Sequence, residues 1–132
     1  MSEFQNKSIQ YKDAALLACT NFHFAAVGHS AYYSCFLLVE HLWYITLSKT
    51  DKELYSRCSS TSGIHEVMIN EIVLYIMNKD QLKAATVNTQ LVKLKKLRIS
   101  ADYKNESFDG NKASRSLSIM NSVLSILNQY LS

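Results

Sequence analysis

A chain of 132 residues leaves room for one domain with one core, because two halves would each be too small to bury enough apolar surface. Apolar residues make up 48% of it and charged residues 19%, which excludes a disordered chain and supplies ample material for a core. The formal charge of +3 is too small to define a partner by itself, so the distribution of charge has to be followed along the chain.

Proline is absent and only three glycines occur, so long segments lack the residues that break helices. Ser2 with Gln5 makes a capping-box signature, and Phe4, Tyr11, Ala15 and Ala18 recur at helical spacing behind it, predicting a first helix from about Glu3 to Thr20. The second helix is predicted from Phe22 to Ser48. Ala25, Tyr32, Phe36, Val39 and Trp43 form one apolar stripe on it, and Ala31, Leu38, Leu42 and Ile45 form another. A helix apolar all round must be covered all round, by its own bundle or by a second copy of the chain, and a homodimer is expected on that ground. Glu40 and His41 within it, with His23 and His29 toward its start, argue against a membrane span. With no signal-peptide pattern at the start, a cytoplasmic protein without a membrane partner is expected. The three histidines read as hydrogen-bonded core or interface residues. Cys19, Cys35 and Cys58 form no C-x-x-C pair and read as three reduced thiols.

Lys49 to Gly63 is polar and ends in Ser59-Ser60-Thr61-Ser62-Gly63, which reads as a loop. A third helix is predicted from Ile64 to Asn78, with Ile64, Met68, Ile72 and Tyr75 inward. Asp80 is placed to cap a fourth helix running to Tyr103, whose apolar stripe of Val87, Leu91, Leu94 and Ala101 also contains Arg98. Lys104 to Lys112 reads as a connection, and a last helix from about Ser114 carries two seams, one through Leu117, Met120, Leu124, Leu127 and Leu131 and one through Ile119, Val123, Ile126 and Tyr130. The whole predicts a single domain over residues 1–132, an all-α antiparallel up-and-down bundle of four to five helices.

Tests for standard sites come back negative. His65-Glu66 opens like H-E-x-x-H, but position 69 is Ile, and Gly28, Gly63 and Gly110 are too scattered for a phosphate loop, so neither metal nor cofactor is expected. The fourth helix stands apart. From Leu82 to Lys104 it holds Lys83, Lys93, Lys95, Lys96, Arg98 and Lys104 against Asp102 alone, a local balance of +5. Such a cluster is either a solvated face with cations near a helix C-terminus or a phosphate-contacting surface, with Lys93, Lys95 and Lys96 as its RNA-binding candidates. Arg98 on the stripe must find a carboxylate, carbonyls or a ligand, and Asp102 lies one turn on to supply one partner.

Two runs resemble a known family. Ala25-Ala26-Val27-Gly28-His29-Ser30-Ala31-Tyr32-Tyr33-Ser34-Cys35-Phe36 resembles the A-x-x-R-A-Y-Y-A-x-F signature of many HEPN domains, and Leu97-Arg98-Ile99-Ser100-Ala101-Asp102-Tyr103 resembles their L-R-x-x-A-D-Y signature. His65 falls about where those chains often place a histidine. The resemblance implies a dimeric helical bundle that binds RNA, in active members a metal-independent ribonuclease of a toxin–antitoxin or defence system. Arg98 would hold a phosphate, Asp102 would orient Arg98, and Tyr103 or Tyr32 would contact RNA. The alternative it implies is a non-catalytic interaction subunit, for example a partner of a minimal nucleotidyltransferase; a bundle holding a small ligand in its core is a third reading. Two departures bear on catalysis. No histidine follows Arg98 at the spacing of the family's R-x4-6-H motif, where Tyr103, Lys104 and Asn105 stand instead, and Ser30 replaces an arginine ahead of Ala31-Tyr32-Tyr33.

Overall fold

Three of the five long helices begin where a short polar side chain, Ser2, Asp80 or Asp109, accepts from an amide of the first turn. The computed structural model describes every residue from Met1 to Ser132, in six α-helices: α1 (Glu3–Thr20), α2 (Phe24–His41), α3 (Asp51–Arg57), α4 (Ile64–Met77), α5 (Gln81–Tyr103) and α6 (Gly110–Leu127). There is no strand. The five long helices are the expected bundle, and α3 is a short addition to it. Ser2 Oγ accepts from the Gln5 amide at 3.2 Å while Gln5 Oε1 accepts from the Ser2 amide at 2.8 Å, completing the capping box of α1. Asp80 and Asp109 accept from Lys83 and Lys112 amides at 3.0 and 2.9 Å and start α5 and α6.

Four features differ from expectation, each for a local reason. Phe22 adopts φ 60°, and amide bonds from His23 to the Ala18 carbonyl (2.8 Å) and from Phe22 to Cys19 (3.1 Å) close α1, so α2 starts at Phe24 rather than Phe22. At its other end the backbone widens into a π-turn over Leu42–Thr46, closed by the Leu47 amide on the Leu42 carbonyl at 2.9 Å, and Ser48 at φ 52° ends the run. The loop expected over Lys49 to Gly63 contains α3, which Thr50 caps by accepting from the Glu53 amide at 3.2 Å and which Leu54, 1% exposed, pins to the core. Likewise α6 begins at Gly110, inside the expected connection, because Asp109 caps it.

The apolar α2 lies at the centre, packed against α1, α5, α6 and α4. Ser8 and Ser34 exchange hydroxyl-to-carbonyl hydrogen bonds at 2.7 and 2.9 Å, and Ser2 meets His41, so α1 runs antiparallel to α2. His29 meets Asp102 and Tyr33 meets Arg98, so α5 is antiparallel as well, whereas Cys35 facing Met120 and His41 facing Leu131 make α6 parallel. Only Ala25 and Ala26 of α2 are exposed. One chain therefore covers this helix, and a second copy is not needed to bury it. No helix is long and apolar enough to cross a membrane, and the three cysteines are free thiols.

His41 is the core histidine expected. It is 4% exposed, its Nδ1 lies 2.7 Å from Ser2 Oγ and its Nε2 donates to the Leu131 carbonyl at 2.9 Å, tying both ends of the chain to the end of α2.

Gly28 lets α2 pack tightly against Ala101 of α5 and Phe108 of the connection that follows it. A Cβ there would stand 2.7 Å from Phe108 Cζ and 3.0 Å from Ala101 Cβ. Gly28→Leu is expected to lower stability by about 1–3 kcal/mol through overpacking, measured by denaturant unfolding. A parental midpoint would show that the two helices do not meet here as closely as described.

Candidate functional site

The stripe that buries Leu91, Leu94 and Leu97 of α5 against the bundle also carries Arg98 inward, leaving its side chain 11% exposed. The guanidinium carbon lies 5.2 Å from the ring centre of Tyr32 and 5.4 Å from those of Tyr33 and Tyr103. Each such contact is worth about 0.5–2 kcal/mol, so ring faces offset much of the cost of withdrawing the charge from water. Conventional hydrogen bonding is sparse. Nη1 donates to the Tyr33 hydroxyl and Nη2 to the Tyr103 hydroxyl, both at a long 3.4 Å. Nε is buried and makes no hydrogen bond, with Asp102 Oδ2 3.6 Å away. A guanidinium offers five N–H groups, so several stay available to a planar, anionic acceptor.

Asp102 serves a second partner better than the first. Its Oδ2 accepts from His29 Nδ1 at 2.8 Å, the side chains being 20% and 43% exposed. His29 is thus hydrogen-bonded, as read from the sequence, but half-exposed rather than buried in the core. Its ring lies beside Tyr33, with 4.9 Å between centres. His23 is not a core residue either, being exposed at the start of α2 without a side-chain capping bond.

His65, on the first turn of α4, faces the guanidinium from the other side. Its ring stacks on Phe36 with 3.9 Å between centres and 15° between planes, and its Nδ1 lies 2.8 Å from the Tyr32 hydroxyl. Burial, then the positive charges of Arg98 and Lys95, push its pKa down to about 4. Burial drives the Tyr32 phenol upward, with Arg98 opposing. Tyr32 therefore stays protonated and donates to Nδ1, which leaves Nε2–H of the neutral imidazole as a donor.

Between α4 and α5 lies an open cleft of about 280 Å³ lined by Tyr33, Gly63, Ile64, His65, Glu66, Lys95 and Arg98. Gly63 provides no side-chain cap, so the first turn of α4 presents free amides at this end. Two cations and a helix N-terminus against Glu66 alone make a place suited to an anion.

The fold brings Arg98, Asp102, Tyr103 and Tyr32 around one guanidinium and sets Lys95 on the same cleft. Lys93 and Lys96 are exposed and project elsewhere, because at 3.6 residues per turn they leave α5 on other sides from Lys95. The residues not singled out as site members from the sequence are Tyr33, His65 and His29. Tyr33 stood in the Ala31-Tyr32-Tyr33 run and His65 had a family position, whereas His29 had no local signal. No group of three or more His, Cys, Asp or Glu side chains converges anywhere in the chain.

Comparison with protein-family models, with curated proteins and with solved structures finds no match. What the site can do follows from its own geometry.

His65 offers a direct check on the electrostatics of the cleft. With its folded pKa near 4 and an unfolded value of about 6.5, the unfolded chain binds the extra proton between those limits. This contribution to stability is thus complete above about pH 6.5 and is lost as pH falls toward 4. NMR titration should place the His65 midpoint near 4 and move it upward in Arg98→Gln. A midpoint near the ordinary histidine value in the parent would contradict the enclosed, positive cleft.

Proposed function

We propose that this chain is a HEPN-like RNA-binding domain whose cleft between α4 and α5 holds a backbone phosphate. The observation that carries the reading is the state of Arg98: enclosed by three tyrosine rings, underused as a donor, and opening on a cleft shared with Lys95 and the His65 ring. Its planar fork matches two phosphate oxygens at once, Lys95 adds a point charge, and neutral His65 adds a neutral donor.

Two further features favour single-stranded RNA. Lys93 and Lys96 point away from the cleft, so the lysines of α5 do not form one face that could track a duplex, while Tyr103, 70% exposed above the guanidinium, offers a ring on which an unstacked base can lie. The resemblance adds support because its two motifs, far apart along the chain, face each other in the fold: Tyr32 and Tyr33 come from one, Arg98, Asp102 and Tyr103 from the other.

Fluorescence anisotropy with a short single-stranded oligoribonucleotide tests this reading. Affinity should fall steeply as salt rises, and Lys95→Ala should reduce the salt slope by about one, whereas Lys93→Ala changes it little. Arg98→Lys keeps the charge but not the fork, and should retain the melting temperature while losing about 1.5–3 kcal/mol of binding. Absence of binding at low salt would overturn the proposal, and so would an Arg98→Lys variant that binds like the parent.

A further inference from the structure

The cleft that opens on Arg98 does not end there. A second hollow of about 190 Å³ continues from it along the α4–α5 pair, and Glu66 and Lys95 line both. The short connection from Asn78 to Asp80 makes α4 and α5 antiparallel, so the walls of this hollow recur at helical spacing: Glu66, Ile69 and Asn70 on one helix, Asn88, Leu91 and Val92 on the other. Its floor is apolar. Ile69 and Leu91 are buried there and Val92 is half-exposed. Its rim is polar, with one carboxamide on each helix: Asn70 and Asn88 are exposed, and neither side chain has a hydrogen-bond partner in the chain. Glu66 and Lys95 line the same space without forming an ion pair, so both stay available.

The two ends of this groove suit different parts of one molecule. Arg98 and Lys95 favour an anion at the first end, whereas in the second hollow Lys95 is the one cation and Glu66 opposes it, so a second phosphate is disfavoured there. An apolar floor between free hydrogen-bonding groups matches a flat, neutral ring with a polar edge, which is what a nucleobase presents. Val92 lies six residues before Arg98, roughly 9 Å along the helix at 1.5 Å per residue, within reach of a base tethered to the phosphate through its ribose. Tyr103 stands on the opposite side of Arg98 along α5, so the base across the phosphate can lie on its ring.

The donors and acceptors of the rim narrow the choice of base. A carboxylate only accepts, while each asparagine amide can donate and accept. Guanine is the RNA base that presents two N–H groups side by side, at N1 and at the exocyclic amino group, with O6 and N7 as acceptors beyond them. Adenine and cytosine set a ring-nitrogen acceptor beside the amino group, which would face the second carboxylate oxygen. Uracil has a single N–H between two carbonyls.

We infer that the hollow between Asn70 and Asn88 is a guanine-reading subsite for the nucleotide adjoining the phosphate held at Arg98. The inference rests on the RNA-binding reading above and adds a base preference to it. Glu66 accepts from the guanine N1–H and amino group, the two asparagine amides donate to O6 and N7, and the ring lies on Leu91 and Val92.

The test compares, by fluorescence anisotropy at one salt concentration, short oligoribonucleotides of equal length: all uracil, or uracil with one central guanine, adenine or inosine. The guanine strand should bind on the order of 10- to 100-fold more tightly than the all-uracil strand, and inosine, which lacks only the exocyclic amino group, should lose most of that gain with the protein unaltered. Glu66→Gln should reduce the guanine preference to a few-fold while binding the uracil strand at least as well as the parent, because a negative charge has left the cleft. Asn88→Ala should reduce the preference at parental uracil affinity. Both side chains are exposed and unbonded, so the melting temperatures should stay parental. Strands that all bind alike, or a preference for another base, would overturn this inference and leave the RNA-binding reading standing; a parent that binds none of them would overturn both. A guanine preference that survives inosine substitution, or that neither variant diminishes, would place the reading of the base elsewhere and overturn the assignment.

Discussion

A helix without a polar face has to be surrounded, and α2 is such a helix. From Val27 to His41 none of its residues is fully exposed, and Tyr32, Phe36, Leu38, Val39 and their neighbours account for much of the core. Fully burying a large apolar side chain is worth about 1.5–3 kcal/mol, so the other long helices are placed wherever they can cover this one. The short turn at Phe22 folds α1 back along it, the capped starts of α5 and α6 bring two more helices alongside, and His41 fastens Ser2 and Leu131 to its end. The position of every site residue follows from this packing. Tyr32 and Tyr33 belong to α2, and one turn before them Gly28 leaves room for Ala101 of α5.

Arg98 is the exception that the core accommodates. An arginine on a buried stripe would be strongly unfavourable without partners, and the partners it finds are mostly π faces and one carboxylate shared with a histidine. Such an environment holds the guanidinium in place without consuming its donors. Around it two histidines sit in different surroundings. His65, half-buried and flanked by Arg98 and Lys95, is kept neutral, while His29 sits at the surface with its Nδ1 on a carboxylate.

Features carried by near neighbours along the chain were legible before the fold was known. The capping residues Ser2 and Asp80, the seams of α5 and α6, and the inward place of Arg98 one turn from Asp102 all follow from helical spacing. The ends of α2 were not, since apolar spacing runs on through Leu42 to Leu47 although the backbone has changed to a π-turn. The short α3 hides in a polar stretch, marked only by Thr50, Glu53 and the single buried Leu54. The basic cluster misled in a different way. Counting charge along α5 discards the angle at which each side chain leaves the helix, so Lys93, Lys95 and Lys96 looked like one surface. Histidine partners lay beyond reach altogether: His29 meets Asp102 across 73 residues of chain and His65 meets Tyr32 across 33, contacts that no local pattern encodes.

The central claim is that the guanidinium of Arg98 receives an RNA phosphate in the cleft between α4 and α5. Its most direct test is a heteronuclear NMR titration of the protein with a short single-stranded oligoribonucleotide, following the Arg98 Nε–Hε resonance among all others. The expected result is a saturable shift of that resonance, accompanied by His65 and by the amides at the start of α4, with the exposed flank around Lys93 and Lys96 left unmoved. Saturable shifts confined to another face, with Arg98 and His65 unchanged, would contradict it.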